Sequence, residues 1–264
     1  MRVGVITGSG THALPALQSS TARVEETRFG AVLLIEGSVS GVPVVHISRH
    51  GDGHERLSSH VNHRAHISAL KHARVDAVLA VTVCGAVDPT LALGDLVAFD
   101  DLHFISNRLP DGSLCSLYET PGERGRGHWI FEQPFSASLR DALLQGAQQS
   151  GLQVRERGCY GHVDGPRFNS RPEIAALRAA GVSAVSQTAG PETVLAGEAE
   201  LPYALLGYVT DYANGVVEAA TPVEELRRYL HASTEAFDAT LAAAIGGLAQ
   251  DPTPAPTGTV LRFD

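Results

Sequence analysis

Two stretches, Asp76–Cys84 (DAVLAVTVC) and Tyr203–Tyr212 (YALLGYVTDY), are almost unbroken runs of Val, Ala and Leu. A strand with one wet face alternates apolar and polar side chains. Continuous apolar runs instead suit strands covered on both faces, as in a parallel sheet held between helices. Further strand-like segments are Arg2–Thr7, Ala31–Val39, Val42–Ser48, Asp95–Ile105, Gly158–Val163 and Val182–Gln187, with Ser40-Gly41 turning a hairpin. Helices are predicted over Val61–Ala73, Ser136–Gly151, Pro172–Ala180, Pro191–Glu200 and Pro222–Ala249. Two of them open on capping-box patterns with Pro in the first turn, Ser170-Arg-Pro-Glu173 and Thr221-Pro-Val-Glu224. This alternation predicts one α/β domain over residues 1–250, three layers (α/β/α) around a mixed, largely parallel central sheet. From Asp251 the run Asp-Pro-Thr-Pro-Ala-Pro-Thr-Gly reads as a flexible C-terminal tail, residues 251–264.

Composition narrows the function. At 264 residues and 44% apolar, the chain can bury a full core. A net charge of -9 argues against general affinity for nucleic acid or anionic membranes, so an anionic substrate needs a local pocket within a repelling surface. No apolar run reaches the roughly 18 residues that span a bilayer. The first ten residues run straight into a strand without a cleavable signal pattern. Cys84, Cys115 and Cys159 are an odd and sparse set, which leads us to expect reduced thiols and a cytoplasmic protein. Among 12 histidines, His60, His63 and His66 suggest a metal site, but their spacing drifts around a helix and no Cys or carboxylate completes the set. No metal is expected, and His46 reads as packed inside its strand.

The unusual residues gather at the carboxyl ends of strands, where ligands sit in open α/β sheets: Gly8-Ser9-Gly10, Arg49-His50, Thr82, Gly165–Phe168, Gln187-Thr188 and Asp211. The amides and hydroxyl of Gly8-Ser9-Gly10 suit an anion, without the Lys of a nucleotide P-loop or the spacing of a dinucleotide fingerprint. Arg49 offers a planar fork of donors for phosphate, the alternative being a surface salt bridge. Asp211 closes an apolar strand; unless paired it holds a raised pKa and suits a general acid, the alternative being a helix cap or a structural carboxylate. His54 lies on the loop after Arg49, within reach of a bound phosphate or sugar. An anion, a sugar and a flat ring held together are what an enzyme that splits nucleosides requires.

These residues have a family counterpart. Ser48-Arg-His-Gly51, Thr82-Val-Cys-Gly85, Leu93-Gly-Asp95, Gly165-Pro-Arg-Phe-Asn-Ser-Arg171, Pro191-Glu-Thr-Val-Leu-Ala196 and Thr210-Asp-Tyr212 follow one another as in the trimeric purine nucleoside phosphorylases. From about Val3 to Gly215 the chain resembles that family, most closely its S-methyl-5′-thioadenosine phosphorylase branch. The resemblance implies a homotrimer or a dimer of trimers, no cofactor beyond inorganic phosphate as co-substrate, and purine salvage. By position it implies phosphate binding by Ser9, Arg49, His50, Thr82 and Thr188, and substrate binding by Cys84, Gly85, Phe168, Gln187, Asp211 and Ala213. Asp211 and His50 are the implied catalytic residues, Asp211 facing the purine N7. Trp129 falls where the family closes its site with a neighbouring subunit, the alternative being a plain hydrophobic anchor.

Three departures stand out. Gln187 replaces the Met that touches the sugar, Ala213 replaces a second Asp of the methylthioadenosine branch, and Asp164 replaces the more usual Glu. The loop Asp52-Gly-His-Glu-Arg56 is also more acidic than the pattern. The alternatives these leave are a phosphorylase for 6-oxopurine nucleosides such as inosine or methylthioinosine, a nucleoside hydrolase, and a purine-binding paralogue without turnover.

Overall fold

The computed structural model describes residues 1–9, 13–249 and 253–263. Its strands are β1 (Val3–Thr7), β2 (Gln18–Thr27), β3 (Gly30–Val39), β4 (Val42–Ser48), β5 (Ala77–Ala86), β6 (Leu96–Ala98), β7 (Asp101–His103), β8 (Gly127–Ile130), β9 (Val154–Arg155), β10 (Cys159–His162), β11 (Ala184–Ser186), β12 (Tyr203–Tyr212) and β13 (Thr259–Arg262). The helices are α1 (His63–His72), α2 (Ala137–Gln149), α3 (Arg171–Ala179), α4 (Ala189–Glu198) and α5 (Val223–Leu248). The apolar runs become the strands they predict. The Ser40-Gly41 turn joins β3 to β4 with both residues at positive φ, the geometry a two-residue hairpin demands.

Eleven strands form one mixed sheet with β5 at its centre. Alternation along the buried strands explains the layering. Val78, Ala80, Tyr203 and Leu205 pack with Ile67 and Leu70 of α1 and Leu195 of α4. Their neighbours Ala77, Leu79, Ala204 and Leu206 face Leu143 of α2 and Phe237 and Leu241 of α5. Both faces of β5 and β12 are therefore dry, and helices cover the sheet on each side.

The site depends on how β5 shares its edges. Parallel β1 pairs with its first half, Val3 to Ile6 against Ala77 to Ala80. Antiparallel β11 pairs further along the same edge, at Gly85 and Ala86. The carboxyl ends of β1 and β11 thus run toward each other over Thr82, a topological switch point of the kind where open sheets bind ligands. On the other edge β12 runs parallel to β5 with a bulge: Val209 pairs with Cys84, and Asp211 with the very next residue, Gly85. The extra residue, Thr210, shifts Asp211 out of the row of Val209.

Several elements differ from the sequence reading. Asp95–Ile105 is two strands, β6 antiparallel to β12 and β7 parallel to β10. Strand β2 carries no apolar alternation because it is an exposed edge paired only to β3. The Ser170–Glu173 capping box forms, with the Ser170 N–H donating to the Glu173 carboxylate at 2.7 Å. The second box does not form. α5 starts at Val223, and the Thr221 hydroxyl instead accepts from the Tyr212 N–H at 3.0 Å, tying the helix to the end of β12. The segment read as a flexible tail contains β13, which pairs antiparallel with β8. Trp129 of β8 donates its indole N–H to the Thr257 carbonyl at 2.7 Å and packs so tightly on Gly197 of α4 that no side chain fits there. It anchors this two-stranded sheet and is not among the residues that line the cavity described below.

Among the described residues no helix is long and apolar enough to cross a membrane.

Candidate active site

At the switch point lies a cavity of about 300 Å³, lined by every residue to which the resemblance assigns phosphate or substrate binding: Ser9, Arg49, His50, Thr82, Cys84, Gly85, Phe168, Gln187, Thr188, Asp211 and Ala213. Gly10 is outside the described residues. Asp164 is not part of the lining; its carboxylate lies 4.0 Å from His162 Nε2.

One end of the cavity is suited to an anion. Gly8 and Ser9 follow β1, Arg49 and His50 follow β4, and Thr188 immediately precedes the first turn of α4, whose amino end favours negative charge. Thr82 faces them from β5, its hydroxyl 2.9 Å from that of Ser186. Arg49 is only 1% exposed, and its guanidinium is held on two sides. Nε and Nη2 donate to the two carboxylate oxygens of Glu192 at 2.5 and 2.8 Å, and Nη1 donates to the Val81 carbonyl at 3.0 Å. The Tyr203 hydroxyl donates to Glu192 Oε2 at 3.1 Å, and His63 Nδ1 lies 3.5 Å from Oε1. Burial works against both charges, yet each holds the other ionised: Glu192 falls below the usual carboxylate range and Arg49 rises above the usual guanidinium range. Gly8 must be glycine because Arg49 Nη1 lies against its Cα, where a Cβ would collide with it. The pair is neutral as a unit, so the remaining Arg49 N–H groups act together with hydroxyls, amides and the helix dipole.

His50 is fixed by its Nδ1, 2.8 Å from the Arg56 carbonyl. A carbonyl only accepts, so Nδ1 carries the proton. Burial, reinforced by Arg49, lowers the His50 pKa to about 4, leaving the ring neutral at pH 7. His54 stacks on it with ring centres 4.2 Å apart.

The other end is an apolar slot closed by one acid. The bulge at Thr210 brings Asp211 opposite Gly85, where a Cβ would lie 3.1 Å from Asp211 Oδ2 and 3.7 Å from the Ala213 methyl. Asp211 is 8% exposed, and the Thr210 hydroxyl donates to its Oδ1 at 2.9 Å. Burial pushes its pKa up, and the Thr210 hydrogen bond offsets this in part. Cys84, pushed up by burial, stays a thiol beside the slot. Leu57, Leu226 and Leu230 also line the cavity, and Phe168, 62% exposed, stands at its mouth.

One cavity thus holds both an anion-suited end and an apolar slot with a buried acid. A family model, the phosphorylase superfamily, matches residues 2–246. The chain belongs to the phosphorylase superfamily. It is 33% identical over 216 residues to the 6-oxopurine nucleoside phosphorylase of Pyrococcus furiosus, with 81% of each chain covered. It is 36% identical over 217 residues to the S-methyl-5′-thioadenosine phosphorylase of Anopheles gambiae, covering 80% of this chain and 76% of that one. The structure of a methylthioadenosine phosphorylase from Schistosoma mansoni in complex with adenine superposes with a TM-score of 0.87 at 28% identity, over 95% of this chain and 92% of that one.

The sequence reading missed several parts of this superfamily site. Glu192 lay within a quoted motif without a role, although an acid set among the apolar residues that open α4 is a signal that a buried cation balances it. Ser58 carried no signal, because its importance comes from a contact across the fold, and Thr210 was quoted in a motif without a role of its own. His63 and His66, weighed above as metal ligands, are buried on α1. Burial lowers the pKa of His66 to about 3. His46 is packed as expected, its Nε2 2.8 Å from the Thr7 hydroxyl. Among the described residues no three His, Cys, Asp or Glu side chains come close enough to hold a metal ion.

Proposed function

We propose that the chain is a purine nucleoside phosphorylase that needs no cofactor. It would cleave a purine nucleoside with inorganic phosphate to give the free base and sugar 1-phosphate. What carries this reading is one cavity that joins an anion cradle built on Arg49 to an apolar slot ending on the buried acid Asp211. Phosphate held by Ser9, Arg49, His50, Thr82 and Thr188 attacks C1′ as the C1′–N9 bond breaks, and the bonding electrons leave with the purine. Asp211 transfers its proton to N7, or hydrogen-bonds to it, so the base departs neutral, and Asp211 regains a proton afterwards. Neutral His50 presents a lone pair at Nε2, which suits an acceptor for the phosphate hydroxyl.

S-methyl-5′-thioadenosine is the proposed substrate. Leu57, Leu226 and Leu230 favour an apolar 5′ group, and Asp211 accepts from a 6-amino group when ionised. Ala213 supports a second reading, a 6-oxopurine nucleoside, because it supplies no second acceptor beside Gly85. The exposed ring of Phe168 at the mouth supports a homotrimer in which a neighbour covers it. Three free cysteines support a reducing, cytoplasmic setting, and purine salvage is the corresponding role.

The deciding experiment is free-base release from methylthioadenosine, adenosine, inosine, methylthioinosine and guanosine, with and without phosphate. Phosphate-dependent release is expected, highest for methylthioadenosine. Release without phosphate means a hydrolase, and no release from any nucleoside means a binding protein or a different substrate.

A further inference from the structure

Gln187 lies between β11 and α4, on the wall that joins the two ends of the cavity. Its amide is engaged by the protein. The Ser58 hydroxyl donates to Oε1 at 2.9 Å, and Nε2 donates to the Arg167 carbonyl at 3.1 Å. These partners belong to two separate loops. Ser58, 9% exposed, opens a short turn directly after Leu57, whereas Arg167 lies between Pro166 and Phe168; Leu57, Ser58, Pro166 and Phe168 all line the cavity. The three segments meet at Gly165. A Cβ there would collide with Gln187 Oε1 and Ser58 Oγ, and would lie 2.5 Å from Gln187 Cδ.

The second loop is also tied from outside. The Arg167 guanidinium donates to both oxygens of Glu173 at 2.8 and 2.7 Å, and Glu173 caps α3. A Met at position 187 would reproduce neither inner bond, since a thioether donates nothing and accepts weakly. Gln187 therefore does more than replace an apolar contact with a polar one. It joins loops that a thioether would leave unconnected.

We infer that Gln187 is a positioning residue that clasps the loops 57–60 and 165–168 over the sugar region and so sets nucleoside affinity, instead of reading the sugar directly. The kinetic part rests on the phosphorylase reading of the same site; the structural part does not. The phosphate cradle is anchored separately, through Arg49 and Glu192, so its affinity should be unaffected by the clasp.

The test uses Gln187→Met, Ser58→Ala and the double variant in the full chain. Backbone hydrogen exchange without substrate should rise in both loops in either single variant. The nucleoside KM should rise by about three- to tenfold in Ser58→Ala, the range for one lost neutral hydrogen bond, and by at least as much in Gln187→Met, which loses two, with the phosphate KM unchanged. The double variant should be little worse than Gln187→Met alone, because Ser58→Ala removes a bond that Gln187→Met has already broken. Additive effects, or a changed sugar preference in Gln187→Met while Ser58→Ala leaves exchange and KM alone, overturn the clasp. If no nucleoside is cleaved by the unaltered protein, the phosphorylase reading fails, and exchange alone decides: a rise in both loops supports the clasp and unchanged exchange overturns it.

Discussion

At the anion end of the cavity a fully buried arginine and a fully buried glutamate neutralise each other through two hydrogen bonds, with a tyrosine hydroxyl completing the set. At the base end a buried aspartate has a threonine hydroxyl as its neighbour and burial as the dominant influence. Both are charges withdrawn from water, but the first is paired for permanence and the second is kept ready to change its protonation. Their linkage to pH runs in opposite senses. Glu192 has a lowered pKa, so its contribution to stability is present above the unfolded value of about 4.3 and is lost as pH falls through the lower folded value. Asp211 has a raised pKa, so its contribution is present below about 3.9 and is lost as pH rises through the folded value. One site thus contains a fixed element and a titrating one.

The largest expected effect would separate the two functionally. Asp211→Ala should lower turnover by about 10²–10⁴-fold with little change in the phosphate KM. In the unaltered enzyme, kcat/KM should fall as pH rises through the raised Asp211 pKa, and Asp211→Asn should lose that limb and shift preference toward 6-oxopurines. Unaltered turnover in the Ala variant would place the acid elsewhere. Next comes Glu192→Ala, which leaves a buried guanidinium unpaired and should cost about 3–5 kcal/mol in chemical denaturation while raising the phosphate KM. A cost below about 1 kcal/mol would mean that Arg49 does not depend on its partner. The smallest effect belongs to Tyr203→Phe, which removes one hydrogen bond to an ionised acceptor. It should cost about 1.5–3 kcal/mol, with base preference unmoved. A shift in base preference there would show that the two ends are coupled and erase the contrast.

How much could be read beforehand follows the same division. The buried strands and the residues at their ends were legible because they rest on local signals: continuous apolar runs, a glycine turn, an arginine or aspartate ending a strand. Polar β2 and the β8–β13 pairing lacked those signals, and the Asp-Pro-Thr-Pro composition masked the latter. The Thr221 cap was legible as a pattern, but its hydroxyl found a better use on Tyr212.

The sequence by itself determined which segments would be buried strands and helices, since side-chain periodicity acts within a few residues. It also pointed to part of the cavity's lining, the residues that end the buried strands. Only the tertiary structure decided how those residues are used. Arg49 meets Glu192 across a separation of 143 residues, and Ser58 meets Gln187 across 129. One extra residue in β12 aims Asp211 at Gly85. The physical reason is that a buried charge or amide needs a specific partner in space, and which partner it finds depends on how the strands share the edges of β5.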